Sequence, residues 1–261
     1  MFRFTKFALL TLAAFLVMAL SNVAFAGPPK GPTDDLNENA ILSLLTPKTI
    51  FVTSSLYTGD LVGEALSLGY VAENGLDAAD YLCQNKAKDA GFKGNFKAII
   101  STSFENANAR LSKSLGPYIL PDGTPVAENF AHLFSTRTGA DYVTPELPPI
   151  WLITEVNQTE LGDRAAGGPG PGFLRRAWTG TYADGSAVLT NFPGPSPGWV
   201  VPELTTCDDW TSSAQEDDCS DFQGNVICGV VGLVTSKLPD WLYEGTRYGC
   251  DITHRLYCAE Q

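Results

Sequence analysis

Six cysteines constrain this chain more than any other feature. All fall beyond residue 82, as Cys83, Cys207, Cys219, Cys228, Cys250 and Cys258. An even set reads as disulfides if the chain reaches an oxidising compartment, and the N-terminus predicts that it does. Arg3 and Lys6 precede an apolar run from Phe7 to Leu20, and Ala24-Phe25-Ala26 leads into Gly27. A positive start, a short apolar core and an A-x-A exit define a signal peptide over residues 1–26. The run falls short of the roughly twenty apolar residues a membrane helix needs, and no later stretch reaches that length. The expectation is a secreted, periplasmic or cell-surface protein with no transmembrane segment and no lipid-bearing cysteine at the cut. Zinc is the competing use of cysteine. No pair has C-x-x-C spacing, however, and only His132 and His254 are at hand to complete a site.

Charge narrows the partners. The formal net charge is −12, and removal of the leader takes away two cations and no acid. A surface this acidic repels nucleic acid, heparin-like polyanions and anionic lipid, and it suits cationic partners, metal cations or neutral sugars. Acidity also serves plain solubility.

Residues 27–48 are polar and carry Gly27-Pro28-Pro29-Lys30-Gly31-Pro32, which reads as a linker with a short helix at Asn37 to Leu45. The domain then occupies residues 49–261. Thr49 to Ser54 is β-branched and aromatic and predicts the first strand; Tyr57 to Leu61 reads as a loop. From Leu76 to Ala90 the pattern is helical, with Ala79, Leu82, Cys83 and Ala87 on one face and Gly91 at the C-terminal cap. Asn95 to Ser101 predicts a second strand. Pro121-Asp122-Gly123 joins two short strands across 117–127, and Glu128 to Ser135 predicts a short helix burying Phe130, Leu133 and Phe134. Pro/Gly-rich insertions are expected over 160–174 and from Phe192 to Pro202.

Five segments in order resemble the endostatin-like branch of the C-type-lectin fold, as found in bacterial exported proteins. They are Gly75 to Cys83, Ala90 to Ser101, the turn and helix ending in His132-Leu133-Phe134-Ser135, Ala177-Trp178-Thr179-Gly180-Thr181 with Asp184-Gly185 leading into Thr206-Cys207-Asp208-Asp209-Trp210-Thr211, and Gly249 to Cys258. The resemblance implies an α+β fold: two helices flanking twisted antiparallel sheets, long loops and neighbouring chain ends. It also implies a pairing, Cys83 with Cys258, Cys207 with Cys250 and Cys219 with Cys228. In a chain-entropy account each long-range bridge contributes roughly 4 to 5 kcal/mol. Animal endostatins are basic and carry a histidine-rich zinc site. This chain has neither property, so heparin and zinc binding are not carried over.

Catalytic chemistry finds little purchase. There is no G-x-S-x-G elbow, His254 lies between two cysteines on an expected strand, and His132 sits on a short helix among core residues. A glycosidase needs two facing carboxylates, and with 29 acids some pair can always be nominated. Calcium is the stronger metal hypothesis, because Asp208, Asp209, Glu216, Asp217, Asp218 and Asp221 gather around Cys207 and Cys219. The spacing matches neither the sugar-binding lectin motifs nor an EF-hand, so a solvated acidic loop stands beside it. The binding residues expected are Asp208, Asp209, Trp210, Asp217, Asp218 and Asp221. Phe173, Phe192 and Trp199 either anchor a partner or cover the core. The function expected is non-enzymatic recognition of a protein or glycan through the loop face between Thr181 and Tyr248. The alternatives are a hydrolase of envelope polymers and a structural envelope protein.

Overall fold

A computed structural model describes residues 45–135, 151–165, 175–188, 205–215 and 227–261, together with Leu42. Its first strand, β1 (Lys48–Val52), buries Ile50, Phe51 and Val52 in succession. A strand buried on both faces belongs in the middle of a sheet, and β1 lies there. It pairs antiparallel with the last strand, β8 (Arg255–Glu260), with Ile50 opposite Ala259 and Val52 opposite Tyr257. The two ends of the unit spanning residues 44–261 are thus neighbours, and the Lys48 ammonium donates to the Gln261 carbonyl at 2.8 Å.

The opposite edge of β8 is shared. β2 (Phe96–Ala98) runs antiparallel against Cys258 to Glu260, and β5 (Arg176–Trp178) runs parallel against Arg255 and Leu256. Beyond β1 lie β3 (Tyr118–Ile119) and β4 (Pro125–Ala127); beyond β5 lie β6 (Cys228–Leu233) and β7 (Arg247–Gly249). The order is β4-β3-β1-β8-β5-β6-β7, with β2 also on β8. The sheet is mixed rather than wholly antiparallel, because β1–β3 and β5–β8 are parallel pairs. Parallel neighbours need a long crossover. The chain between β1 and β3 supplies one through α1 (Leu61–Ser67), α2 (Gly75–Asp89), β2 and α3 (Ala107–Arg110).

Helix α2 carries the expected buried face of Ala79, Leu82, Cys83 and Ala87. The Asn74 side chain accepts from the Asp77 amide at 2.9 Å, and Lys86 and Lys88 occupy the last turn, so both ends are stabilised against the helix dipole. Helix α1 begins at Leu61, the last residue of the expected loop, and covers a stretch for which no element was expected. The Asp60 carboxylate caps it through the Gly63 amide at 2.8 Å, but only Leu61 and Ala65 are buried, too few to print a period. Helix α4 (Phe130–Leu133) falls where a short helix was predicted and buries Leu133.

Cys83 of α2 is bonded to Cys258 of β8, with Cα atoms 5.5 Å apart. Beside this staple the Asp80 carboxylate accepts from the Ala98 amide at 2.9 Å and from Arg110 at 2.7 Å, while Arg110 also donates to the Ala98 carbonyl at 2.6 Å. One ion pair therefore joins α2, β2 and α3. Burial pushes the Asp80 carboxyl above its usual range, and Arg110 offsets only part of that rise.

Alternation along β1 divides the core between the two sheet faces. Ile50 and Val52 pack with Tyr118, Trp241 and Tyr257, and Phe51 packs with Leu82, Trp178 and Trp210. The expected insertion over 160–174 begins better packed than its composition suggests. Glu160 and Ala165 are buried, and Glu160 accepts from the Ser54 amide at 2.8 Å. The leader, residues 27–41 of the linker, most of the helix expected from Asn37 to Leu45, and Phe173, Phe192 and Trp199 lie outside the described residues. Among the described residues no helix is long and apolar enough to cross a membrane.

Candidate functional site

The most unusual local structure is the turn Cys207–Trp210, here α5. Its four residues have φ of 49°, 55°, 51° and 68°. These are left-handed helical angles, which L-residues other than Gly, Asn and Asp rarely enter. The hydrogen bonds are helical in span: the Trp210 amide donates to the Thr206 carbonyl at 2.7 Å and the Thr211 amide to that of Cys207 at 3.1 Å. One left-handed turn costs roughly 1–2 kcal/mol per residue, so tertiary contacts must hold it.

Three do so. Cys207 is bonded to Cys250, which follows β7, with Cα atoms 5.7 Å apart. The Asp209 carboxylate accepts from the Ser103 amide at 2.7 Å and the Ser103 hydroxyl at 2.6 Å. The Trp210 indole donates to the Ser101 carbonyl at 2.7 Å. The surroundings leave no slack. A Cβ at Gly75, the first residue of α2, would overlap the Asp209 carbonyl oxygen, and one at Gly229 of β6 would overlap the Trp178 ring and approach the Cys207 sulfur to 2.8 Å. Glycine at these two positions is what lets the turn seat between α2 and β6.

Behind the turn a row of rings crosses the core. Trp210 meets Trp178 at 5.8 Å, Trp178 meets His254 edge-on at 4.4 Å, and His254 meets Tyr248 at 5.0 Å. The Arg176 guanidinium lies over Tyr248 at 4.9 Å and pairs with Glu244. His254 is fully buried in this row.

The residues expected to bind therefore separate. Asp208 is exposed, and its carboxylate approaches only the Thr211 hydroxyl, at 3.5 Å. Asp209 is half-buried with both oxygens engaged by Ser103. Trp210 is fully buried, a correction to its place among the ligand-facing residues, because a side chain with no exposed surface has none to offer a partner. Asp217, Asp218 and Asp221, with Glu216 and Cys219, lie outside the described residues. Among the described residues no group of three or more His, Cys, Asp or Glu side chains is gathered to hold a metal ion. The disulfides Cys83–Cys258 and Cys207–Cys250 are those the resemblance implies. Cys228 is disulfide-bonded as well, and the partner expected for it, Cys219, is outside the described residues.

Within residues 181–248 the fold brings together a cluster that the sequence did not single out. Tyr182 and Tyr243 meet edge-on at 4.9 Å, and Arg247 lies in the electrostatic reach of both. All three are half-buried. Burial raises the Tyr182 phenol above its ordinary value, with Tyr243 adding to the rise, and burial lowers Arg247. The tyrosines are 61 positions apart in the chain, so only the folded sheet brings them together. No protein-family model matches the chain, and no curated protein matches it.

Proposed function

We propose that this chain is an exported, non-enzymatic recognition module of C-type-lectin-like, endostatin-like fold. It binds a protein or glycan ligand through the loop face between Thr181 and Tyr248. The observation that carries the reading is the Tyr182–Tyr243–Arg247 cluster on that face. Tyr and Arg dominate binding hot spots, since each combines a large apolar surface with a hydrogen-bonding tip, and a half-buried pair of rings has little side-chain freedom left to lose. The paired first and last strands and the α2–β8 staple support the fold assignment. They leave the segments between β5 and β8 to carry the ligand surface.

Four of the described carboxylates are committed to other protein groups. Asp80 serves Arg110, Glu160 serves Ser54, Asp209 serves Ser103 and Glu244 serves Arg176. Each is spent on the architecture. A glycan and matrix-protein array tests the reading: the mature chain should retain a ligand, and Tyr243→Ala should lower its affinity at least about tenfold while the domain still unfolds in one cooperative transition at a modestly lower melting temperature. Binding that Tyr243→Ala leaves intact refutes the assignment of this face. Turnover of an envelope polymer that Asp208→Ala abolishes refutes the non-enzymatic reading.

A further inference from the structure

Phe104 is 88 % exposed. A lone exposed aromatic is ordinary on a protein surface, but this one is held out by a turn fixed on every side. The Thr102 hydroxyl accepts from the Glu105 amide at 3.1 Å, and the Thr102 amide donates to the Glu105 carbonyl at 2.9 Å. Ser103 is clasped by Asp209, the Ser101 hydroxyl accepts from the Ala107 amide at 2.9 Å, and the Asn106 side chain accepts from the Ala187 amide at 2.8 Å. Phe104 contributes nothing to the core, and the backbone that carries it is pinned to α5 and to the turn 182–187.

The described stretches joined to this turn carry charges of one sign. Four segments meet here: 70–75 through the contact of Gly75 with Asp209, 101–108, 182–188 through Asn106 and Asn108, and 206–215. They carry Glu73, Glu105, Asp184, Asp208 and Asp209 and no Lys or Arg. Glu73, Glu105, Asp184 and Asp208 are exposed. An acidic rim alone defines no ligand. An exposed aromatic on a rigid turn inside such a rim defines an anchor and the charge of what receives it, because a rim charge selects its opposite and disfavours its like.

We infer that the 101–106 turn is a protein-docking anchor: Phe104 enters an apolar pocket on a partner protein whose surrounding surface is cationic. The inference rests on the recognition reading and supplies the chemistry of one partner. It differs from the Tyr182–Tyr243–Arg247 contact in residues and in charge, so the two are separable.

The test uses the mature chain against arrayed synthetic peptides, each with a central Leu, Phe or Met flanked by lysines or arginines, beside matched peptides with glutamate at every cation. The chain should retain the cationic set over the acidic one, less so as salt rises. Phe104→Ala should lower that retention at least about tenfold with an unchanged melting temperature, because its side chain touches no core. Glu105→Gln with Asp208→Asn should weaken retention and flatten its salt dependence while Phe104 still contributes. Equal retention of the two peptide sets, or equal retention by wild type and Phe104→Ala, overturns the inference. Ligand capture on the glycan and matrix array that Tyr243→Ala abolishes, together with equal peptide retention by wild type and Phe104→Ala, leaves the recognition reading standing and removes this anchor alone.

Discussion

The left-handed turn at Cys207–Trp210 makes a prediction of unusual sign. Asp208 sits at φ 55° and ψ 55° with its side chain in solvent. An L-residue in that region costs roughly 1–2 kcal/mol, and Asp lies toward the low end because its short polar side chain tolerates the conformation. Glycine removes the steric part, but its larger unfolded-state freedom takes back roughly 0.5–1 kcal/mol. Asp208→Gly should therefore stabilise the domain by about 0.5 kcal/mol. That is a rise of about 1–2 °C in the melting temperature of a domain this size. Asp208→Val should do the reverse, because a β-branched side chain fits the left-handed region worst, and a loss of about 1–2 kcal/mol corresponds to a fall of about 2–8 °C. The contacts at risk are small. The Thr211 hydroxyl donates to the Asp208 main-chain carbonyl at 2.7 Å, a bond that every substitution keeps. Thermal unfolding with disulfides intact, checked by urea midpoints, reads both variants. A right-handed or extended backbone at Asp208 would rank valine at or above aspartate and glycine lowest. That ranking would refute the turn.

Removing the outer staple should be costly: Cys83→Ala with Cys258→Ala opens a loop whose ends are 175 positions apart, and the chain-entropy account assigns it roughly 5 kcal/mol. A urea midpoint that falls by the equivalent of less than about 1 kcal/mol would remove that staple from the stability argument. The ion pair at Asp80 predicts a pH dependence. Burial raises the folded-state carboxyl, so the folded chain holds this proton more tightly than the unfolded chain; the stabilisation is complete below the ordinary Asp value and is lost as pH rises through the raised one. Asp80→Asn cannot ionise, so it should fall furthest below wild type in acid and close the gap as pH climbs through that window. Urea midpoints across that range check this, and a gap that widens with pH reverses the sign.

Much of the scaffold was legible because it is built from local signals. Alternating burial across one helical face gave α2 almost to the residue, and β-branched density gave β1. The Pro121-Asp122-Gly123 turn followed from the backbone preferences of two residues, and Gly123 takes φ 87°. Strand direction was not legible. A run buried on both faces looks alike in parallel and antiparallel pairing, so the β1–β3 and β5–β8 pairs had no signal to give. Helix α1 was lost for want of length. At the candidate site the limit was different in kind. Cys207-Asp208-Asp209-Trp210 contains no glycine, and its left-handed course is imposed from outside by Cys250, Ser103 and Ser101. Trp210 looked like part of an acidic loop because its neighbours are acids, yet the loop turns it inward. Tyr182, Tyr243 and Arg247 were invisible as a group because the sheet, not the sequence, sets their spacing.

The position of the two staples explains how such a chain can keep a fixed interior beneath long loops. Cys83–Cys258 fastens α2 to the last strand, beside the Asp80–Arg110 pair, and so closes the unit at its ends. Cys207–Cys250 fastens the left-handed turn to the segment after β7, and the row Trp210, Trp178, His254 and Tyr248 links that turn to the sheet. The segments from Trp178 to Cys207 and from Trp210 to Cys228 therefore start and end on covalently or aromatically fixed points. The entropy of closing a loop grows only with the logarithm of its length, about 0.6 kcal/mol per doubling. Lengthening a segment between two such points costs little, whereas moving either point breaks a disulfide or opens the ring row. The residues that hold the loops are committed to the fold, and the exposed loop residues are not. Asp209, whose carboxylate accepts from Ser103 and from the Thr206 hydroxyl, belongs to the first group, and Asp208, one position away and facing solvent, belongs to the second.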